Sequence, residues 1–261
     1  MDVRVALRVR RQERLRPKGE QERGRLVAPG PRPQTMAKKT WCVPKLTDEF
    51  RERMEDVLDQ YEKPLSSREP VICLDEQPYQ LLDHTRPPQP ARPGQAGKQD
   101  YEYRRCGTCS LFVAVEPKAG KRFVQARRQR KRADFARFVR DLGQRYPQAR
   151  RIHLVLDNLN THNPQSLVQT FGEQQARSLL KRIVWHHTPK HASWLNMAEI
   201  EISVLTNQCL DRRLPTLDAV QRHAAAWSRD RNWKRATITW TFNRTDARRN
   251  FPELYRSKLA G

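Results

Sequence analysis

Residues 151–158, RIHLVLDN, carry the pattern that decides the fold: a short apolar run that ends at an acid, Asp157. A run of about five residues is shorter than a typical helix and fits a buried β-strand. The segment VICLD, residues 71–75, repeats the pattern and ends at Asp75. Two such strands, far apart in the chain, predict an open sheet in which each of these strands ends at a carboxylate.

The segments around these two runs alternate between strand and helix patterns. Residues 109–117 and 121–127 are strand patterns joined by the turn PKAGK, which predicts a hairpin. Residues 83–100 are rich in Pro, Gly and charge, which predicts a loop or an extended arm. The alternation favours an α/β fold with a mixed sheet covered by helices on both faces. The other predicted elements are helices at 48–61, 133–146, 164–180, 193–205 and 216–229 and a strand at 182–187.

The charge of the chain limits what it can bind. Its 51 Lys and Arg exceed its 29 Asp and Glu, which gives a formal net charge of +22. Such an excess points to a polyanion, either nucleic acid or an acidic membrane surface. The sequence has neither an apolar run of about 18 residues nor the apolar segment of a secretory signal. We therefore expect a cytoplasmic protein that binds nucleic acid and has no membrane partner.

The cysteines also fit a reducing compartment, because the chain contains an odd number of them, five. The motif CGTC, residues 106–109, has the spacing of half a zinc site, but no second pair of cysteines accompanies it. We therefore interpret this motif as two thiols near the start of a strand and not as a zinc site.

Residues 1–40 differ in composition from the rest of the chain. They contain 12 Lys and Arg against 4 Asp and Glu, with Pro and Gly scattered among them. This composition predicts a basic, disordered tail. The folded domain is expected at residues 41–255, followed by a short tail at 256–261.

Asp75 and Asp157 are expected at strand ends that meet at one edge of the sheet. An unpaired buried carboxylate is costly, and a second one nearby adds to the cost because like charges repel. A divalent cation removes this conflict, since Mg²⁺ prefers oxygen ligands and takes one or two carboxylates per ion. Two such ions about 3.5–4 Å apart support phosphoryl transfer. The two aspartates therefore predict a metal-dependent reaction at a phosphodiester.

A third carboxylate is expected from HHTPKHASWLNMAEIEISVL, residues 186–205. With Ser193 as the N-cap, this segment predicts a helix with one apolar stripe. Glu199 and Glu201 lie about equally far from the centre of that stripe, one on each border. Helical periodicity alone therefore does not choose between the two glutamates. The stripe consists of Leu195, Ala198, Ile202 and Leu205.

Three blocks of the sequence, CLDEQPYQLL, VLDNLNTH and TPKHASWLNMAE, resemble the signature blocks of DDE transposases. The likeness runs from about Trp41 to Leu254 and is greatest to bacterial insertion-sequence transposases of the mariner-like superfamily. It implies an RNase H-like core, a five-stranded mixed sheet flanked by helices. The implied activity is cleavage of DNA at transposon ends and strand transfer into target DNA, in a protein associated with the bacterial nucleoid.

The resemblance also implies a set of site residues. Asp75, Asp157 and Glu199 form the implied catalytic and metal-binding triad, which holds two Mg²⁺ or Mn²⁺ ions. Glu199 is selected because it closes the Leu-Asn-x-x-Glu block, and Glu201 is then a helix residue without a metal role. The implied partner is double-stranded DNA, and the pairing of two transposon ends suggests a homodimer.

Residues near these blocks are candidates for contact with DNA. Lys190 and His191 are placed to touch a phosphate, and Asn196 to orient a metal ligand or DNA; capping or turn formation is the alternative for each. The dense cationic run QARRQRKR, residues 125–132, is expected to contact the DNA backbone. The candidate DNA-binding residues are Arg128, Arg130, Lys131, Asn158, His162, Lys190, His191 and Asn196.

The sequence departs from full-length transposases of this kind at its N-terminus, where they carry helix-turn-helix domains that recognise inverted repeats. Residues 1–40 lack two clear helices, which indicates a fragment, the second product of a split reading frame or a degenerate copy. Two further functions also stay open. One is a non-catalytic nucleic-acid-binding protein, and the other is an RNase H-like nuclease without strand transfer.

Overall fold

A computed structural model describes residues 46–255 of the chain. The tails predicted at 1–40 and 256–261, and the first residues of the expected domain, 41–45, lie outside the described residues. Within the described range, no helix is both long and apolar enough to cross a membrane.

Five strands form one mixed sheet. They are β1 Val71–His84, β2 Tyr103–Glu116, β3 Lys121–Arg127, β4 Ile152–Leu156 and β5 Ile183–His187. Their order across the sheet is β3-β2-β1-β4-β5, with antiparallel pairing among β1, β2 and β3. β4 and β5 run parallel to β1. This strand order and mixture of directions is that of an RNase H-like sheet, so the expected fold class is confirmed.

The first strand is longer than its apolar run indicates, and Asp75 does not lie at its end. β1 continues beyond Asp75 to His84 and pairs with β2 over most of this length. Its pairing with β4, by contrast, ends where Cys73 faces Val155. The prediction of a strand end at Asp75 was wrong because the second half of β1 is a largely polar hairpin arm, which an apolar run does not reveal. Asp75 instead lies inside β1, just beyond the last residue that pairs with β4.

Helices cover both faces of the sheet, as the alternating pattern predicts. In the described range they are α1 Asp48–Glu62, α2 Arg132–Arg145, α3 Pro164–Phe171, α4 Glu173–Leu180, α5 Ala198–Leu205, α6 Leu217–Trp233 and α7 Arg244–Asn250. α2, α3 and α4 pack on one face of the sheet, and α5 and α6 pack on the other. The Tyr61 hydroxyl of α1 donates a 2.6 Å hydrogen bond to the carbonyl of Leu195, which joins α1 to the segment that leads into α5.

Two of the predicted helices differ from the structure. Residues 164–180 form two helices, because Gly172 has a left-handed φ of 81° and separates α3 from α4. The segment predicted as a helix from Ser193 begins instead with a short 3-10 turn, and the backbone of Asn196 is extended. Ser193 is therefore not the N-cap of α5, which starts at Ala198.

The two faces of the sheet belong to separate hydrophobic clusters. Successive side chains of a strand point to opposite faces. Ile72 and Leu74 therefore pack against α2, α3 and α4, whereas Leu111 and Val113 of β2 pack against α5 and α6. Asp75 pairs with Val113 in the β1–β2 register, so it points to the α5 face.

Candidate active site

Three carboxylates from three separate elements lie beside the carboxyl end of β4, close enough for the charges of two to act on the third. Asp75 lies in β1, Asp157 directly follows β4, and Glu199 lies in the first turn of α5. The pKa of Asp75 is raised to about 7, first by burial and then by the negative charges of Glu199 and Asp157. Glu199 is exposed and the Asp157 side chain is 38% exposed, so the site is open to solvent. The three acids selected by the resemblance therefore share one solvent-open cluster.

A buried histidine binds the second of these acids. His162 Nδ1 lies 2.6 Å from Asp157 Oδ1, and His162 Nε2 lies 3.2 Å from Glu76 Oε1. Burial lowers the pKa of His162, but the hydrogen bonds with the two carboxylates raise it to about 9, so the ring is a cation at neutral pH. Burial raises the pKa of Asp157, but the hydrogen bond from His162 outweighs it and the pKa is lowered. Asp157 is therefore the ionised partner of a buried cation.

Asn196 links the strand that carries Asp75 to the helix that carries Glu199. Its side chain is fully buried. The Nδ2 atom donates to the carbonyl of Leu74 at 2.8 Å, and Oδ1 accepts from the amide of Ala198 at 3.1 Å. These two partners are the residues directly before the two acids. One amide side chain thus fixes the distance between the segment of β1 that carries Asp75 and the start of α5, which carries Glu199.

Glu201 is bound by two arginines away from this cluster. Its side chain is fully buried, and its Oε1 atom lies 2.8 Å from Arg122 Nε and 2.9 Å from Arg231 Nε. These partners neutralise the charge of Glu201 inside the protein. Glu199, in contrast, is exposed, and its charge acts on Asp75. The structure thus separates two acids that helical periodicity left equivalent.

An open groove of about 370 Å³ lies beside the second aspartate. Lys190 and His191, in the loop after β5, line this groove and are exposed, as contact with DNA requires. Asn158 also lines the groove, but its side chain is partly buried. Its Oδ1 atom accepts from Arg53 of α1 and its Nδ2 donates to a backbone carbonyl of the loop after β5. The groove therefore offers two free basic side chains on a loop held in place by an asparagine.

The basic run at residues 125–132 joins β3 to α2 at the same edge of the sheet. Arg127, the last residue of β3, pairs with Ser110, and Ser110 pairs with Pro78 of β1. Pro78 follows Asp75 in β1, which runs parallel to β4 and β5. The basic run therefore lies at the edge of the sheet where β4 and β5 end, which is also the edge of the acid cluster. The exposed candidates in this run are Arg128, Arg130 and Lys131.

Two of the expected DNA contacts are corrected. The His162 side chain is 1% exposed, and Asn196 is buried, so a phosphate does not reach either residue. Their polar side-chain atoms are engaged with protein partners around the acid cluster. For Asn196, the hydrogen bond from the Ala198 amide is the turn formation given as the alternative role, and the hydrogen bond to Leu74 places its side chain between the segments that carry Asp75 and Glu199.

A family model described as DDE superfamily endonuclease matches residues 70–221, which is more than half of the chain. The chain belongs to the DDE endonuclease family. The matched range contains the three clustered acids and the basic run, in agreement with the resemblance noted in the sequence. No curated protein matches the sequence.

Solved structures similar to this DDE endonuclease include complexes of the mariner transposase Mos1. The Mos1 paired-end complex with Mn is 13% identical, with a TM-score of 0.49, and the match covers 78% of this chain and 63% of that chain. The Mos1 strand transfer complex is 14% identical, with a TM-score of 0.49 and coverages of 78% and 62%. The Mos1 catalytic domain is 12% identical, with a TM-score of 0.45 and coverages of 75% and 91%. The chain thus spans less than two thirds of the Mos1 chains in the two complexes.

The donor atoms of the cluster fit a hard divalent cation. All three acids offer oxygen ligands, and the pKa of Asp75 is raised first by burial and then by the negative charges of the other two acids. In the part of the chain that the structure describes, no group of three or more His, Cys, Asp or Glu side chains is placed so that it could hold a metal ion. Mg²⁺ commonly keeps several waters and takes one or two carboxylates together with substrate phosphates. The cluster matches that mode of binding better than an all-protein cage.

Several residues of the site were missed by sequence reasoning. Glu76 directly follows Asp75, and alternation along β1 turns it to the opposite face, where His162 lies in the loop just before α3. That alternation was readable from the sequence once Asp75 was placed inside a strand. Arg122 and Arg231 gave no signal, because they are far from Glu201 in the chain and one lies in β3 and the other in α6.

We expect Glu201→Gln to destabilise the protein and Glu199→Gln not to. The first change leaves two arginines without their buried counter-charge, and breaking a buried ion pair costs about 3–5 kcal/mol. The second makes the same chemical change at an exposed position, and it removes repulsion on Asp75. Urea unfolding of the two metal-free variants at pH 7 checks this. Equal loss of stability in both variants would contradict the separation of the two glutamates.

We expect the stability of the metal-free protein to depend on pH through the ionisation of Asp75. The pKa of Asp75 in the folded protein is about 7, above its usual value. Ionisation of Asp75 therefore lowers the free energy of unfolding; this loss is absent in acid and grows until the pH passes about 7. Asp75→Asn should therefore raise the free energy of unfolding at pH 8 by about 1–3 kcal/mol, and by much less at pH 4. Asp211→Asn, at an exposed position, is the control. A gain that does not depend on pH would refute this account of Asp75.

Proposed function

We propose that this DDE endonuclease is a mariner-like DNA transposase that cuts DNA at transposon ends and joins the ends to target DNA. The observation that carries the proposal is that Asp75, Asp157 and Glu199 lie near one another at one solvent-open site, where burial and the charges of the other two acids raise the pKa of Asp75. Such a concentration of carboxylates favours divalent cations, and phosphodiesters are the substrates on which two-ion sites act.

Asp75, Asp157 and Glu199 would hold two Mg²⁺ or Mn²⁺ ions. When bound, the ions activate the attacking water or 3′-hydroxyl and neutralise charge on the leaving oxygen. The residues of the chain bind and orient these ions and hold the scissile phosphate beside them. The reaction needs no covalent bond between protein and DNA.

The DNA backbone would lie in the groove beside the second aspartate. Lys190 and His191 are exposed along this groove, and the basic run supplies further positive charge at the same edge of the sheet. The net charge of +22 gives the chain a strong, salt-dependent attraction for double-stranded DNA. We assign backbone contact to Lys190, His191, Arg128, Arg130 and Lys131, and positioning of the groove loop to Asn158.

Transposition by this chain would require two copies acting on two paired ends, in a protein that works on the bacterial nucleoid. The support is the family membership together with the names of the similar Mos1 structures, which describe paired-end and strand transfer complexes of that protein. A nuclease that cuts without strand transfer, and a protein that only binds DNA, are the alternative outcomes of the test below.

We expect Asp157→Asn and Glu199→Gln to abolish Mg²⁺-dependent nicking of a supercoiled plasmid, because each change removes a carboxylate from the cluster. Both variants should keep the DNA affinity of the unchanged chain. Asp211→Asn should nick normally. Undiminished nicking by folded Asp157→Asn protein would refute the assignment. Joining of a labelled transposon end to a target plasmid separates a transposase from a simple nuclease.

The same DNA-binding measurement tests the basic run. Replacing Arg128, Arg130 and Lys131 by Ala should weaken DNA binding and reduce the slope of log affinity against log salt by about 2–3, since each phosphate contact contributes about 0.9. An unchanged slope would remove the run from the DNA interface. A protein that only binds DNA would give a different result. The triple variant would then lose the same affinity with and without Mg²⁺, and the unchanged chain would not nick DNA.

A further inference from the structure

His162 joins two carboxylates that come from opposite faces of the sheet. Asp157 shares the open cluster with Asp75, which points to the α5 face, whereas Glu76 points to the face covered by α2 and α3. The imidazole lies between them, 2.6 Å from Asp157 Oδ1 and 3.2 Å from Glu76 Oε1. Since both ring nitrogens face carboxylate oxygens, both serve as donors. The ring therefore has a partner at each end.

The surroundings of His162 fix the ring further. Its centroid lies 4.6 Å from that of Phe135 in the first turn of α2, and its side chain is 1% exposed. Its backbone carbonyl accepts a 2.8 Å hydrogen bond from His187 Nε2 at the end of β5. The Glu76 side chain is 3% exposed, and its other oxygen, Oε2, is buried without a hydrogen-bond partner. A buried carboxylate is costly unless it is paired, so Glu76 depends on His162.

One of the two carboxylate oxygens of Asp157 accepts two hydrogen bonds. Oδ1 accepts from His162 Nδ1 at 2.6 Å and from the amide of Leu159 at 3.1 Å. Asp157 follows the last residue of β4, where the strand no longer restrains the backbone. These two bonds fix the rotation of its carboxylate and leave Oδ2 directed away from them, as the oxygen available to an ion.

We propose that His162, anchored by Glu76, is a positioning residue that fixes the Asp157 carboxylate in the orientation that binds a divalent metal. The proposal rests on the proposed function, since it takes Asp157 to be a metal ligand. Partners of this kind behind a ligand are worth about 10–100-fold in metal affinity. Glu76 adds to the site without touching the ion, because it holds the far end of the ring.

Two substitutions of His162 separate positioning from packing. In His162→Asn the side-chain amide nitrogen takes the place of Nδ1 and keeps the bond to Asp157. In His162→Gln it takes the place of Nε2 and keeps only the bond to Glu76. Both remove the ring, its charge and its contact with Phe135, so both should lose similar stability in urea unfolding.

Mn²⁺ binding to the full chain, measured by the electron paramagnetic resonance signal of free Mn²⁺, is the readout. We expect His162→Gln to bind Mn²⁺ about 10–100-fold more weakly than the unchanged chain, and His162→Asn to bind clearly better than His162→Gln. Glu76→Leu should also weaken Mn²⁺ binding, although Glu76 is not a ligand. Nicking by these variants should recover as the Mn²⁺ concentration is raised, whereas nicking by Asp157→Asn should not.

The outcomes separate this inference from the proposed function. If Asp157→Asn binds Mn²⁺ as well as the unchanged chain, Asp157 is not a ligand and the proposed function fails. If Asp157→Asn loses Mn²⁺ binding but His162→Gln and Glu76→Leu keep it, only the positioning role is overturned. Equal Mn²⁺ affinities in the Asn and Gln variants of His162 would also overturn it, because they would show that the ring acts through packing alone.

Discussion

The placement of Asp75, a largely buried carboxyl group beside two other acids, is the constraint on which the site depends. Asp75 lies just beyond the residues of β1 that pair with β4, and its pKa is raised first by burial and then by the charges of Glu199 and Asp157. A fold holds such groups together only if other contacts oppose their separation. Asn196 ties the strand of the first acid to the helix of the third. His162 places a buried positive charge against the second.

Much of the fold follows from short-range patterns in the sequence. The apolar runs before Asp75 and Asp157 predicted two strands, which the structure shows to be adjacent and parallel, and the hairpin and the helices on both faces were also predicted. The extent of β1 was not, because its second half is stabilised by pairing with β2 and not by burial. The break at Gly172 was not predicted either. A glycine inside a helical pattern can be tolerated, so its presence alone does not predict the φ of 81° at which α3 ends.

The site shows a different limit of sequence reasoning. The resemblance to transposases selected Glu199 over Glu201, but the physical difference between them comes from Arg122 and Arg231, which approach from β3 and α6. Nothing local to the helix encodes these partners. The same holds for His162, which was expected at the DNA and is instead buried between two acids. Residue types at the site were thus predictable, whereas the partners that decide their roles depend on the assembled sheet.

The central claim is that Asp75, Asp157 and Glu199 together bind two catalytic metal ions. Anomalous diffraction from crystals of the chain grown with Mn²⁺ and a DNA duplex tests this most directly. The account predicts two Mn²⁺ peaks about 3.5–4 Å apart, held by the carboxylates of these three residues beside a DNA phosphate. Manganese bound elsewhere, with the three carboxylates free of metal, would contradict it.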